Sequence, residues 1–308
     1  MRLGNKKTGM KANFLTVQNF HDLAEEETDA YRIFVLPGAW GERWGKDVLI
    51  SHFQKSDLDI ALNQLDVWTE KVSWKPQHIF ARQLVKQPGK KDVPSVVRGG
   101  EFSPHQIVHE NGLKYEIDFS AGYSVGLFCD QRSNRRILMN DKPRKTLNCF
   151  AYTCAFSVAA ASVGSQTLSI DLAAQALARG RKNFSLNGIS LAGHRFITDD
   201  VVSVLKRLSR RGEKYDCIIL DPPTFSRSSK GTFQVERHLL PLLRIALDCA
   251  APRARLLLST NCSSLQIAHL QEICSEISLK RPICFRHGES QCDILGGRSS
   301  STLWMELE

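Results

Sequence analysis

Cys217-Ile-Ile-Leu-Asp-Pro-Pro-Thr-Phe225 predicts a buried strand that ends in an acid and two prolines. The run Cys217–Leu220 is short, aliphatic and bounded by turn residues, which is typical of a strand covered on both faces. Each proline fixes φ and lacks an N–H, so the following loop offers carbonyl oxygens and the Asp221 carboxylate but few donors. Such a loop suits a substrate edge that donates hydrogen bonds, such as the amino group of a nucleobase. An ordinary strand-ending turn is equally compatible with the motif alone.

A regular alternation of strands and helices surrounds this segment from Lys145 onward. Predicted strands cover 146–150, 167–170, 194–197, 217–220, 255–259, 279–285 and 302–307, and predicted helices cover about 154–163, 173–187, 201–211, 235–250 and 264–277. Repeated β–α units predict a mostly parallel, doubly wound α/β sheet. Ligands of such sheets bind outside the carboxyl ends of the strands, which is where Asp221 lies.

The first 140 residues differ from the rest of the chain in composition and in the pattern of their apolar runs. They hold four of the five tryptophans, and short strand-like runs such as Tyr31–Leu36 and Asp47–Ile50 are separated by turn residues. We therefore expect a smaller β-rich N-terminal region over 1–75, a β-rich connecting and substrate region over 76–140, and the doubly wound domain over 141–308.

The composition favours a polyanionic partner, because 41 Lys+Arg face 32 Asp+Glu and the net charge is +9. No stretch approaches the roughly 18 apolar residues of a membrane helix, and the basic N-terminus lacks the apolar segment of a secretory signal. Nine cysteines without a CxxC pair argue against a disulfide framework and a zinc site. We expect a cytoplasmic protein with reduced thiols, no metal and no membrane association. The sequence leaves the oligomeric state open, with a homodimer as one option.

The first strand–turn–helix is where a nucleotide-like cofactor is expected. Its turn, Asn148–Phe156, contains no glycine, whereas a pyrophosphate cradle needs close backbone approach and free N–H groups. Asp171 ends the next strand 23 residues after Asn148, close to the interval at which an acid meets ribose hydroxyls. S-adenosylmethionine, which has ribose and adenine but no phosphate, fits both observations better than NAD. Asp200 follows the third strand, where its carboxylate can accept from the adenine amino group.

Five segments occur in an order and spacing that identify a family. They are Gly126–Arg135, Leu147–Phe156, Ser169-Ile-Asp171, Asn183–Gly188 and Asp216–Arg227. In these segments, residues from about 110 to 308 resemble the class I S-adenosylmethionine-dependent methyltransferases that modify large-subunit ribosomal RNA. The resemblance implies a Rossmann-like methyltransferase domain over 141–308, with S-adenosylmethionine as cofactor and RNA, above all ribosomal RNA, as partner.

The resemblance also implies roles for individual residues. Those implied for the cofactor are Gln131, Arg132, Asn148, Phe150, Tyr152, Thr153, Asp171, Asp200 and Asp221, with Gln131 and Arg132 closing over it. Those expected to face the substrate are Pro222, Pro223, Phe225 and Arg227, of which Arg227 would bind phosphate and Phe225 would stack on an unstacked base. Relatives often begin with a small β-rich RNA-binding domain, and residues 1–75 have a suitable length for one.

One position departs from the family pattern. Relatives usually carry at least one glycine where this chain has Cys154-Ala155. If that position needs φ > 0, a Cβ there costs about 1–2 kcal/mol and would crowd the methionine end of the cofactor. A degenerate cofactor loop would leave a non-catalytic RNA-binding or ribosome-assembly protein as an alternative function.

Cys262 decides which atom would be methylated. It follows the fifth strand, in Ser259-Thr-Asn-Cys-Ser-Ser264. Carbon 5 of a pyrimidine needs a nucleophile, and a cysteine that adds to C6 creates an enamine able to attack the methyl group. Cytosine-5 members of the family resemble this chain in placing a cysteine here, so Asp221 and Cys262 are the candidate catalytic residues.

Other members of the family have a different polar residue at this point and methylate a base nitrogen, such as guanine N7 or an exocyclic amine. Cys262 would then be one more small buried residue. Methylation of a small molecule or a protein is a further alternative, which the basic charge and the family match disfavour.

Overall fold

The computed structural model describes residues 12–84, 93–122, 124–228, 231–278, 282–287, 291–295 and 300–308. The chain divides into two compact units, the first made of 1–132 with 290–298 and the second of 133–289 with 299–308. This division differs from the boundaries expected at 75 and 140. Residue 75 lies within the first unit, in the connection between the helix Lys55–Val72 and the strand Ile79–Gln83, and residue 140 lies in a helix, Arg132–Asp141.

The first unit is built on a six-stranded sheet. Its elements are β1 (Asn13–Phe14), α1 (Val17–Glu25), β2 (Ala30–Leu36), β3 (Ala39–Trp44), β4 (Asp47–His52), α2 (Lys55–Val72), β5 (Ile79–Gln83) and β6 (Ser95–Arg98). The strands lie in chain order, and every neighbouring pair is antiparallel except β4 and β5. That parallel pair needs a long crossover, which α2 supplies.

Helix α2 packs on this sheet through one apolar stripe. Its buried residues Ala61, Leu65, Trp68 and Val72 recur at intervals of four, three and four, which is the period of an amphipathic helix. The Trp68 indole N–H donates to the carbonyl of Leu15 at 2.8 Å, so its polar edge is satisfied inside the core. The sequence analysis assigned no helix to this stretch.

A separate hairpin follows in the same unit, formed by β7 (His105–Glu110) and β8 (Leu113–Asp118). Its two-residue turn is Asn111-Gly112, with φ of 51° and 75°. Positive φ at both positions is what a type I′ turn requires, and Asn-Gly is its preferred sequence. The turn chemistry therefore fixes the pairing of β7 with β8.

A buried ion pair joins distant parts of the first unit. Asp293 is fully buried and accepts from both terminal nitrogens of Arg132, at 2.5 and 3.1 Å, and from the backbone N–H of Arg32 at 3.1 Å. Burial disfavours the charged guanidinium, but the Asp293 carboxylate raises the pKa of Arg132 above its usual value, so Arg132 stays charged.

The second unit contains the doubly wound sheet expected from the sequence. Its strands are β9 (Lys145–Cys149), β10 (Gln166–Asp171), β11 (Arg195–Thr198), β12 (Tyr215–Leu220), β15 (Ala250–Thr260), β16 (Ile283–His287) and β17 (Ser301–Leu307), and a hairpin of β13 (Phe225–Ser228) and β14 (Gly231–Gln234) follows β12. The helices are α3 (Arg132–Asp141), α4 (Ala155–Ser162), α5 (Ala174–Leu186), α6 (Val201–Arg210), α7 (Val235–Leu247) and α8 (Ile267–Ser278). Part of the strand expected at 279–285 lies outside the described residues.

The strand order β11-β10-β9-β12-β15-β17-β16 confirms the predicted α/β class. Strands β9 to β12 and β15 run parallel to one another, and β17 is antiparallel to both β15 and β16. Alternate residues of β12 enter different clusters, with Cys217 and Ile219 facing α3 and α4, and Ile218 and Leu220 facing α6, α7 and α8. Burial on both faces explains why this strand is a continuous aliphatic run.

The ion pair in the first unit leads to a stability prediction. Asp293→Asn removes the carboxylate that binds the buried Arg132 guanidinium, so we expect the free energy of unfolding to fall by about 3–5 kcal/mol. Urea denaturation measures the change. Asp66→Asn is the matched control, because its pair with Arg98 is half-exposed and should contribute no more than about 1 kcal/mol. Equal losses in the two variants would contradict the structural importance of the buried pair.

Candidate active site

Parallel register aligns the carboxyl ends of the central strands. Cys149, the last residue of β9, pairs with Ile170 of β10 and with Leu220, the last residue of β12. Asp171 and Asp221 each come one residue after these partners. The two acids therefore lie at the same level of the sheet edge, on either side of the turn that follows β9.

The strand order also sets the sequence of groups along this edge. From β11 to β15 the edge carries Asp200, Asp171, the turn after β9, Asp221 and Cys262. Neighbouring strands are about 4.8 Å apart, so the row spans roughly 19 Å. The chain order reverses between β9 and β12, and the crevice at such a reversal is where open α/β sheets bind ligands. Asp171 and Asp200 thus lie on one side of this crevice, and Asp221 and Cys262 lie on the other.

The turn after β9 adopts left-handed backbone conformations without glycine. Phe150, Tyr152 and Cys154 have φ of 61°, 48° and 60°. Each such residue costs about 1–2 kcal/mol relative to an ordinary conformation, so contacts elsewhere must hold the turn in place. Of the pair Cys154-Ala155, only Cys154 has positive φ, because Ala155 already begins α4.

Two neighbouring elements hold this turn by hydrogen bonds. The Asp171 carboxylate accepts from the backbone N–H of Tyr152 and of Ala173, each at 2.8 Å. On the other side, the Asn183 side-chain amide donates to the carbonyl of Thr153 at 3.0 Å. A carboxylate has four acceptor sites, so Asp171 keeps capacity for a further donor such as a ribose hydroxyl.

A glycine in the facing helix makes room for the Cys154 side chain. A Cβ at Gly180 of α5 would lie 2.4 Å from the Cys154 sulfur and 2.9 Å from its Cβ. Cys154 is fully buried, and this burial raises the pKa of its thiol to about 12. The thiol is therefore a neutral packing group, and the space that it occupies is provided by Gly180.

Asn148 and Asp200, both expected at the cofactor, have local structural roles. Asn148 is buried and its amide donates to the Ser157 hydroxyl at 2.9 Å, which lies 2.8 Å from that of Ser169. Asp200 caps helix α6, since its carboxylate accepts from the Ser203 N–H at 2.9 Å. Their contacts with a cofactor stay predictions.

Gln131 and Arg132 lie in the first unit, and both are buried there. The Arg132 guanidinium binds Asp293. Their closure over the cofactor also stays a prediction. Leu172, which the sequence analysis did not single out, follows Asp171 directly and is 41% exposed. It offers apolar surface beside the acid.

The Asp-Pro-Pro loop is tied to the loop that carries Cys262. The Thr224 hydroxyl donates to the Asn261 side-chain carbonyl at 2.8 Å, and Asn261 directly precedes Cys262. Pro222 is buried beneath the loop, whereas the Phe225 ring is 47% exposed. A half-exposed aromatic ring beside an acid suits stacking against a flat substrate.

The Asp-Pro-Pro loop continues into a hairpin. This hairpin was not expected from the sequence. Strand β13 carries Arg227, whose side chain lies outside the described atoms. Strand β14 carries Phe233, whose ring centroid lies 5.7 Å from that of Phe150. Through this ring contact, the hairpin that follows the Asp-Pro-Pro loop packs against the turn after β9.

The Cys262 thiol lies next to two polar side chains. Its sulfur is 3.0 Å from the Ser264 hydroxyl oxygen and 3.7 Å from Oε1 of Glu236, in the first turn of α7. The residue is 7% exposed. Burial raises the pKa of the Cys274 thiol, in the core of the same unit, to about 12, which makes it inert at neutral pH. Glu236 could not be found from the sequence, because it is distant along the chain and belongs to no motif.

Among the described residues, no group of three or more His, Cys, Asp or Glu side chains is arranged to hold a metal ion. The same part of the chain contains no helix with the length and apolar character needed to cross a membrane.

The contact between Cys154 and Gly180 gives a test of the cofactor turn. Gly180→Ala normally strengthens a helix, but here the added methyl group displaces Cys154 and the turn. We expect the free energy of unfolding to fall by about 1–3 kcal/mol, and S-adenosylhomocysteine binding to weaken about tenfold, as measured by calorimetry. The double variant Cys154→Gly with Gly180→Ala should regain most of both losses. Additive effects in the double-mutant cycle would refute the compensation.

A sequence profile of S-adenosylmethionine-dependent methyltransferases matches residues 41–278 of the chain. Ribosomal RNA large subunit methyltransferase I of Aeromonas salmonicida is 32% identical over 197 residues, which cover 63% of this chain and 50% of that protein. Its namesake from Tolumonas auensis is 34% identical over 272 residues, which cover 82% of this chain and 66% of that protein. The chain thus spans about half to two thirds of the length of these relatives.

Solved structures show the same fold. The crystal structure of SMU.776 complexed with SAH superimposes with a TM-score of 0.80 at 24% identity, over 95% of this chain and 80% of that one. The comparisons give no support to the homodimer option. Because the profile match covers most of the chain and its crevice, the protein belongs to the S-adenosylmethionine-dependent methyltransferase family.

Proposed function

We propose that the protein transfers a methyl group from S-adenosylmethionine to a base of large-subunit ribosomal RNA, and that the target is carbon 5 of cytosine. The observation that carries this proposal is the position of the Cys262 thiol. It lies beside the Asp-Pro-Pro loop, since Asn261 is hydrogen-bonded to Thr224. An acid for the amino edge and a nucleophile for C6 are the two groups that cytosine-5 chemistry requires.

The residues around the turn after β9 suit S-adenosylmethionine, which supplies an electrophilic methyl group on a sulfonium. Asp171 has acceptor capacity for the ribose hydroxyls beyond its two backbone contacts. Asp200 would accept from the adenine amino group. The glycine-free turn contains three side chains at positive φ and no phosphate cradle, which agrees with a cofactor that lacks phosphate.

On the other side of the crevice, the Asp-Pro-Pro loop and Cys262 bind the RNA and activate its target base. Asp221 accepts hydrogen bonds from the amino edge, and the two prolines add no competing donor. Phe225 stacks on the unstacked base, and Arg227 binds a phosphate. Cys262 adds to C6, which makes C5 nucleophilic, and a base then removes the C5 proton. Positioning and exclusion of water promote the transfer.

RNA as the substrate is supported by the relatives and by charge. The relatives named as ribosomal RNA large subunit methyltransferase I share 32–34% identity with this chain. The net charge of +9 favours a polyanion. In this proposal the second unit carries out the reaction and the first unit contributes RNA binding.

Two competing functions make different predictions from the same site. In a base-nitrogen methyltransferase, Asp221 and the Pro222 carbonyl would orient the attacking nitrogen, and Cys262 would be a bystander. In a non-catalytic RNA-binding protein, the cofactor turn would be degenerate. The non-catalytic alternative is disfavoured because the Cys154 side chain fits against Gly180, so the cofactor turn can form although it contains no glycine.

Calorimetric titration with S-adenosylmethionine separates an enzyme from a non-catalytic protein. We expect micromolar affinity, because the ribose and adenine acceptors lie at one edge of the sheet. Asp171→Ala should weaken binding about tenfold or more, since it removes a charged acceptor. Absence of binding by the wild-type protein would support the non-catalytic alternative.

A mass-spectrometric nucleoside inventory of ribosomal RNA identifies the product. We expect RNA from cells without the gene to lack one 5-methylcytidine, and expression of Cys262→Ala not to restore it, since the nucleophile is missing. Cys284→Ala is the matched control, because this exposed cysteine lies on β16, and it should restore the mark. If RNA from cells without the gene lacks a methylguanosine instead, and expression of Cys262→Ala restores it, the protein is a base-nitrogen methyltransferase. If this RNA lacks no methylated base, both versions are rejected.

A further inference from the structure

A hydroxyl and a carboxylate lie next to the Cys262 thiol. Its sulfur is 3.0 Å from Oγ of Ser264 and 3.7 Å from Oε1 of Glu236. The Ser264 hydroxyl in turn donates to the same Glu236 oxygen in a short hydrogen bond. The three side chains therefore form one connected group that comes from two elements, the loop after β15 and the first turn of α7.

The directions of these hydrogen bonds follow from the available protons. An ionised carboxylate only accepts, so the single hydroxyl proton of Ser264 is used toward Glu236. The Ser264 oxygen can then only accept from Cys262, and the thiol proton points along the chain toward the carboxylate. The arrangement is a thiol–hydroxyl–carboxylate relay.

A nucleophilic cysteine needs such a partner, because the thiolate and not the thiol attacks. A base within hydrogen-bond reach of the nucleophile, together with a third group that orients it, is the usual arrangement for activating serine and cysteine. Asp221 is assigned to the amino edge of the base, and the sequence analysis named no group to accept the thiol proton.

We propose that Glu236 is the general base that deprotonates Cys262, with Ser264 as the relay, an inference that rests on the cytosine-5 function proposed above. The Cys262 S–H bond breaks as its proton passes to Ser264 Oγ, and the Ser264 proton passes to Glu236. The sulfur electron pair forms the bond to C6, and the C5–C6 π pair becomes available at C5 for attack on the methyl group. Solvent water takes the C5 proton, the C5–H electron pair restores the C5–C6 π bond as the C6–S bond breaks, and the thiolate recovers its proton from Glu236 through Ser264.

The test compares kcat and KM among variants on an unmodified large-subunit ribosomal RNA transcript, with S-adenosylmethionine labelled in its methyl group and 5-methylcytidine as the measured product. Glu236→Gln keeps the size and an acceptor oxygen but removes the basicity. We expect its kcat to fall about 100-fold, the lower range for general-base catalysis, with KM for RNA unchanged. Glu236→Asp should recover part of the rate, and Ser264→Ala should lose about tenfold, because the direct contact with Glu236 persists.

Glu272→Gln is the matched control, since it removes an exposed carboxylate of α8 and should leave kcat unchanged. A transcript with 5-fluorocytidine gives a second readout, because the fluorine blocks loss of the C5 substituent and traps the covalent adduct. Adduct formation should slow in Glu236→Gln by the same factor as kcat.

Unchanged kcat in Glu236→Gln would overturn the assignment. A loss accompanied by raised KM, or by a lowered melting temperature, would also overturn it, because it would show a structural role. These outcomes differ from failure of the proposed function, in which the wild-type protein makes no 5-methylcytidine or Cys262→Ala retains activity.

Discussion

The parallel pairing of β9 with β12 is the constraint on which the site depends. These strands are separated by two β–α units in the chain, yet their last residues, Cys149 and Leu220, are partners in the sheet. Each strand also has a parallel neighbour on its far side, so the turns after the central strands all face one crevice. A shift of one residue in this pairing would turn every side chain of β12 to the opposite face, which would exchange the Cys217 and Ile219 side chains with those of Ile218 and Leu220 between their two core clusters.

The turn after β9 shows why a local rule about glycine can fail. The sequence analysis expected strain at Cys154-Ala155 because the turn itself lacks a glycine. The structure provides space from a different element, at Gly180 in α5, and offsets the strain with contacts from Asp171 and Asn183. What a cofactor loop requires is room and support for a given backbone, and either can come from residues distant in the chain.

The difference between local patterns and contacts from distant residues also explains which parts of the fold and of the site could be predicted from the sequence. Strands and helices from Lys145 onward were predictable, because continuous aliphatic runs such as Cys217–Leu220 are typical of strands that helices cover on both faces. The hairpin β13–β14 was missed because its strands are short and polar, as in Ser226 and Thr232, so no apolar period indicates it. Helix α2 has a clear stripe, but the many polar residues between Ala61 and Val72 obscured it. Glu236 is a site candidate only through its position in space.

The two sides of the crevice differ in what they can specify. In the proposed site, Asp221 and its prolines would recognise an edge that donates hydrogen bonds, and adenine, cytosine and guanine all have one. A ring or exocyclic nitrogen already has a lone pair, so an enzyme for nitrogen needs only to orient it. Carbon 5 has none until a sulfur adds to C6, and the thiol must first lose its proton. The choice between carbon and nitrogen therefore depends on whether the proton of Cys262 has an acceptor, and in the proposed mechanism Glu236 with Ser264 is that acceptor.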